Sequence, residues 1–138
     1  LSAMAKNLKA AIVMHPVIRE EILRDNHLER LERSVDLITR DPIQEINELG
    51  SSLDKISVLI TSWGCARIDE KALHKMPRLK LIAHVAGSVK GFLDDIVWRK
   101  GINVTSAAAA NAVPVAEYTL ASIIFANKKV FQLNKVYL

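Results

Sequence analysis

The run Ala86-Gly87-Ser88-Val89-Lys90-Gly91 holds the residue types best suited to gripping an anion. Glycines at 87 and 91 permit backbone paths and close approaches that a Cβ would block. Successive exposed backbone N–H groups there can hold a carboxylate or phosphate. The same two glycines would equally serve a tight strand-to-helix turn. Lys90 offers a cation to such an anion or, alternatively, a solvated surface charge. Asn111 stands among small apolar residues just ahead of Pro114, and its amide offers both a donor and an acceptor. A helix starting at Pro114 would add a partial positive charge beside it; capping that helix or closing a turn is the alternative role. Thr61-Ser62-Trp63-Gly64-Cys65 is a third candidate segment.

Classical catalytic and metal-binding patterns are missing. The four histidines, His15, His27, His74 and His84, lack metal-ligand spacing with one another or with Cys65. Cys65 has no recognisable partner base and reads as a packing residue or inert thiol. As the single cysteine it forms no internal bridge.

The elements that position these residues follow from hydrophobic patterning. Short runs rich in Val and Ile at 8–14, 35–39, 56–61, 79–85 and 102–105 read as strands covered on both faces. The segments between them carry helix punctuation. Asn26 with Glu29 forms a capping box, and Asp41-Pro42 with Gln44 marks a second helix start. Asp69 caps EKALHK, which Pro77 stops; Asp94 and Asp95 open DIVWRK, and Gly101 closes it. Alternating strands and helices with short links predict a parallel sheet with right-handed crossovers. In such a sheet, ligands sit at the carboxyl ends of the strands, from which the three candidate segments emerge.

The last element differs. One helix of roughly 23 residues is expected from Pro114 to about Val136, about 34 Å long. It is apolar on nearly every face between Val115 and Ala126, so it should be buried on several sides, against another domain or subunit.

Composition bounds the rest. The chain has 138 residues, half of them hydrophobic and a quarter charged, enough for one well-packed domain. Five Gly and four Pro exclude a collagen-like repeat. The 19 basic and 15 acidic residues are scattered, and no aromatics interleave with basic runs, which argues against nucleic-acid binding. No stretch reaches the roughly 18 continuous apolar residues of a membrane span. Leu1-Ser2-Ala3 ahead of Met4 reads as an expression remnant rather than a signal peptide, and the cytoplasm is the expected compartment.

The segments LKLIAHVAGSVKGFLDD and RKGINVTSAAAANAVPVAEYTLASIIFA resemble the D-isomer-specific 2-hydroxyacid dehydrogenases. Shared features are an apolar strand, a glycine turn, an acidic helix start, Gly101-Ile102-x-Val104, and a small/Asn segment leading into Val115-Ala116-Glu117. The upstream TSWGCARIDEKAL is similar to the N-terminal half of that family. The resemblance implies a flavodoxin-like open parallel sheet of about five strands with helices on both faces, plus a long apolar C-terminal helix. Residues 1–113 would be the substrate-binding domain, and 114–138 the helix leading into a coenzyme-binding Rossmann domain. It further implies a 2-oxo or 2-hydroxy acid substrate, NAD or NADP as cofactor, and a homodimer through the Pro114 helix. Ala86, Gly87 and Ser88 would receive the substrate carboxylate. Asn111 would contact substrate or cofactor, and Ser88 and Val115 would lie near the cofactor. Trp63 and Gly64 would shape the pocket for the substrate side chain.

Two departures matter. Val89, Lys90 and Gly91 replace the further glycine and acidic residue that commonly follow the turn. No G-x-G-x-x-G fingerprint occurs, and the Arg, Glu and His that the family uses for catalysis have no counterparts here. No catalytic or metal-ligating residue is therefore expected within these 138 residues, which should be inactive alone. The competing reading is a free-standing flavodoxin-like ligand-binding or signalling module without catalysis. A phospho-receiver would need clustered acids where Met14-His15-Pro16 stands and an Asp near Thr61-Ser62-Trp63. His15-Pro16-Val17 is likewise a poor phosphate cradle for a flavin.

Overall fold

Strands β1 (Lys9–Val13) and β3 (Ile56–Thr61) are buried along nearly their whole length. Alternate side chains of each strand enter two different clusters. Ala11, Val13 and Leu59 join one, while Ala10, Ile12, Val58 and Ile60 join the other. A strand buried on both faces needs a layer on each side, and the chain supplies both.

The computed structural model describes residues 8–137; Leu1-Ser2-Ala3, read above as a remnant, lies outside them. Two compact units divide the chain, one ending at Ser106 and the other beginning at Ala107. In the first, five strands pair in parallel in the order β2-β1-β3-β4-β5, with β2 at Asp36–Leu37, β4 at Leu81–His84 and β5 at Asn103–Ser106. That is the flavodoxin-like order, with its topological switch between β1 and β3. Helices α1 (Pro16–Ile22) and α2 (Asp25–Glu32) cover one face. A 3-10 segment (Ile46–Lys55), α3 (Glu70–Lys75) and α4 (Ile96–Arg99) cover the other.

Several local expectations hold. The N–H of Ala72 donates to Asp69 Oδ1 at 2.8 Å, capping α3. Gly101 adopts φ +71°, the left-handed turn that ends α4. Others need correction. α2 starts at Asp25, so Asn26 lies inside it; His27 Nδ1 accepts the Arg24 N–H at 3.2 Å instead. No helix begins at Asp41-Pro42. There Ile43 runs alongside β1, donating to Ile12 C=O at 3.0 Å and accepting from Met14 N–H at 2.9 Å. That extended pairing outcompetes the local helix signal. α1 was not anticipated: Pro16, read as a strand terminator, is its first residue, and His15 Nδ1 caps the N–H of Val17.

The second unit holds α5 (Ala108–Asn127) and α6 (Val130–Tyr137). The expected single helix from Pro114 instead begins six residues earlier and breaks at Lys129, whose φ of 53° reverses the local path. Pro114 sits inside α5. Phe125 and Phe131 meet edge-on across the break, with centroids 6.2 Å apart. Starting at Ala108 gives α5 twenty residues, among them an 18-residue stretch of mean hydropathy 1.3, long and apolar enough to cross a membrane by length and composition alone. No 18 continuous apolar residues occur in it, since Asn111, Glu117, Thr119 and Ser122 interrupt the run; only the average over the helix reaches that level.

The two-sided burial gives a direct test. Leu59 is fully buried in β3, and Leu59→Ala should lower stability by about 3 kcal/mol through lost transfer energy plus a cavity. Urea unfolding followed by circular dichroism measures it.

Candidate functional site

Because all five strands are parallel, the segments leaving β1, β3 and β4 emerge at one edge of the sheet. At the switch point two of them touch. The N–H of His15 donates to Trp63 C=O at 2.9 Å. Gly64 adopts φ +82°, and a Cβ there would fall 2.7 Å from His15 Cβ and 2.9 Å from His15 N. Gly64 is thus required by both backbone conformation and close approach. Trp63 beside it is half exposed. Ser62 is buried, and its Oγ has no hydrogen-bond partner among the described residues. The Cys65 thiol donates to Ala66 C=O at 3.2 Å. Burial, helped by the negative charge of Glu45, pushes its pKa up to about 12, so it is no nucleophile.

The turn leaving β4 is held at both ends. Val85 N–H donates to Thr61 C=O at 2.8 Å, and Phe92 N–H and Leu93 N–H reach Val89 C=O at 3.4 and 3.3 Å. Ser88 Oγ accepts the Lys90 N–H at 3.3 Å. Between these anchors, no acceptor among the described residues takes the N–H of Gly87, Ser88 or Val89. Ala86 is buried, Gly87 and Val89 are half-buried, and Ser88 is exposed. Neither Gly87 nor Gly91 has a positive φ, and a Cβ at Gly91 would meet open space. The close-approach argument therefore applies to Gly64 and not to Gly91.

Asn111 and Val115 belong to the second unit. Asn111 lies in the first turn of α5, its N–H donating to Ala107 C=O at 2.9 Å, so it neither caps a Pro114 helix nor closes a turn. Val115 follows four residues later on the same face and is exposed. Its C=O accepts from Thr119 Oγ1 at 2.7 Å.

One buried polar pair escaped the sequence reading. His84 Nδ1 lies 3.0 Å from Thr61 Oγ1, and burial lowers the His84 pKa. The available signal was a polar residue ending each of two adjacent strands, which becomes a contact only once register is known. The concave regions lie elsewhere. A groove of about 480 Å³ between α1–α2 and the sheet is lined by Leu23, Leu31, Ile60 and Val85 with His27 and Arg30. A polar one of about 430 Å³ surrounds Arg67, whose guanidinium donates to Asp94. Neither is lined by the predicted site residues. Among the described residues no group of acids, histidines or cysteines could hold a metal.

The model of the D-isomer specific 2-hydroxyacid dehydrogenase catalytic domain matches residues 11–132, and the chain belongs to that family. Among solved structures, a phosphoglycerate oxidoreductase from Rhizobium etli is similar over 86% of this chain and 36% of its own, with 21% identity and a TM-score of 0.64. The pyruvate reductase of Chlamydomonas reinhardtii is similar over 96% of this chain and 38% of its own, with 13% identity and a TM-score of 0.62. These two show the fold. D-Lactate dehydrogenase from Aquifex aeolicus, solved with NAD and lactic acid, shares 28% identity over 84% of this chain and 33% of its own, with a TM-score of 0.52. The chain thus spans about a third of the length of these relatives. No curated protein sequence matches it.

Three outcomes follow from this geometry. Gly64→Ala should destabilise the chain by about 2 kcal/mol or more, from left-handed strain plus the collision with His15, read as a lower urea midpoint. Cys65 should resist iodoacetamide at pH 8 in the folded state and react once urea unfolds the chain. His84, favoured neutral by burial, contributes stability that is present above its unfolded pKa of about 6.5 and lost as pH falls below it. The melting temperature should therefore drop between pH 7.5 and 5.5, and drop less in His84→Leu.

Proposed function

We propose that this chain is the substrate-binding domain of an NAD(P)-dependent D-2-hydroxyacid dehydrogenase, an enzyme moving a hydride between a nicotinamide and a 2-oxo or 2-hydroxy acid. The observation that carries this reading is the row of N–H groups at Gly87, Ser88 and Val89 that no acceptor among the described residues takes. Gly87 and Val89 are half-buried and Ser88 is exposed, so the row is open to a ligand, and a carboxylate accepts several N–H groups at once. The exposed Lys90 adds positive charge near the same turn. Trp63, half exposed beside the closed Gly64 contact, offers an apolar face to the substrate's side chain. Asn111 and Val115 would serve substrate or cofactor from α5.

The residues of this chain do not by themselves fit a dinucleotide. Its five glycines make no phosphate-cradling fingerprint, and α5 begins after Ser106-Ala107, without a glycine turn. Three of the four histidines are engaged otherwise: His15 and His27 cap helices, and His84 is buried against Thr61. His74 lies in the last turn of α3. No proton-transfer step is assigned to any of them. These residues bind and orient the acid, while dinucleotide, acid catalyst and carboxylate-fixing cation come from a coenzyme-binding unit.

The apolar side chains of α5 support a homodimer as well. Tyr118, Leu120 and Ile123 are 77%, 60% and 53% exposed, and an exposed apolar patch of this kind drives association. We place the assembled enzyme in the cytoplasm, with the choice between NAD and NADP made by the coenzyme-binding unit.

The 138-residue chain should show no oxidation of NADH or NADPH with glyoxylate or hydroxypyruvate, followed at 340 nm. The longer protein with its coenzyme-binding unit should turn over at least one of these acids. Robust turnover by the short chain, or none by the long one, contradicts the proposal. Light scattering at high micromolar concentration should give a dimer.

A further inference from the structure

Thr61 and His84 are register partners at the carboxyl ends of β3 and β4. Both are almost wholly buried, at 0% and 4% exposure. One nitrogen of the imidazole meets the Thr61 hydroxyl. The ring itself packs against Phe92, with centroids 5.0 Å apart and planes inclined by 38°. Phe92 is fixed in turn: its C=O accepts the Ile68 N–H at 2.7 Å, and its N–H reaches back to Val89. His84 thus ties the point where the turn leaves the sheet to the point where the chain returns.

An imidazole is a poor choice for filling that space alone. Burying a polar ring costs more than burying an apolar one, and adjacent positions on the same face, Leu59 and Ile82, are aliphatic. What the ring supplies is a directional contact to Thr61 together with a flat face for Phe92. A turn whose N–H groups find no acceptor among the described residues has few internal bonds to keep it from relaxing. Fixing its two ends resists that relaxation and keeps the donors available.

We infer that His84 is a positioning residue for substrate: through Thr61 and Phe92 it holds the turn at Gly87, Ser88 and Val89 in the form that accepts a carboxylate. The inference rests on the reading that this turn receives the 2-oxo acid. His84 acts on the substrate only through the backbone beyond it.

Two measurements test it together. In the 138-residue chain, His84→Leu and the near-isosteric Thr61→Val should speed amide hydrogen exchange at Phe92 and Leu93 about tenfold relative to Ile12 in β1. In the longer dehydrogenase, the same variants should raise KM for glyoxylate or hydroxypyruvate about five- to tenfold, with kcat held within about twofold. His84→Asn, which keeps a nitrogen near the position of Nδ1, should recover part of the loss. A core-filling histidine would give none of this split. Thr61→Val keeps the test informative if His84→Leu fails to fold. Unchanged exchange and unchanged KM in folded variants of an active enzyme overturn the inference while the functional reading stands. If the unaltered long protein binds no 2-oxo acid, the functional reading falls, and the substrate role of His84 falls with it.

Discussion

Burial of β1 and β3 on both faces is the constraint from which the rest follows. Residues such as Ile12 and Leu59, fully enclosed on opposite sides of the sheet, demand a helical layer above and another below. Only crossover connections can deliver those layers between neighbouring parallel strands. Once every strand points the same way, the segments after β1, β3 and β4 share one edge. The close contact between Gly64 and His15, the bond from Val85 to Thr61, and the open turn after Ala86 all belong to that edge.

That edge contains two kinds of segment with different physical roles. Around His15, Trp63 and Gly64 the backbone is closed, with the two connections hydrogen-bonded to each other and no room for a side chain at position 64. After β4 the backbone is anchored at its ends, and in its middle three N–H groups have no acceptor among the described residues. A rigid neighbour beside such a turn suits the proposed role of preorganised donors. His15, His27 and His84 are each held in hydrogen bonds of the fold.

The sheet was legible because doubly buried strands are written as continuous apolar runs, and Ile56–Thr61 is the clearest of them. Edges were less legible. The expected strand 35–39 shrinks to Asp36–Leu37, which has only β1 for a partner. The Asp41-Pro42 signal lost to the pairing of Ile43 with β1, a contact that no local propensity encodes. Pro16 opens a helix because His15, an uncommon cap, satisfies the N–H of Val17. In the candidate site, the glycine turn could be read directly from Ala86-Gly87-Ser88. Which of its N–H groups stay free depends on acceptors brought by other segments. The Thr61–His84 contact depends on strand register, and neither property is local.

The central claim is that the bare N–H groups after β4 receive a carboxylate. Its most direct test is a titration of the ¹⁵N-labelled 138-residue chain with glyoxylate, followed amide by amide. The account predicts saturable shifts concentrated at Gly87, Ser88 and Val89, with little change at the capped amides of Val17 and Ala72. Shifts that appear elsewhere, or none at the turn up to high millimolar acid, would contradict it.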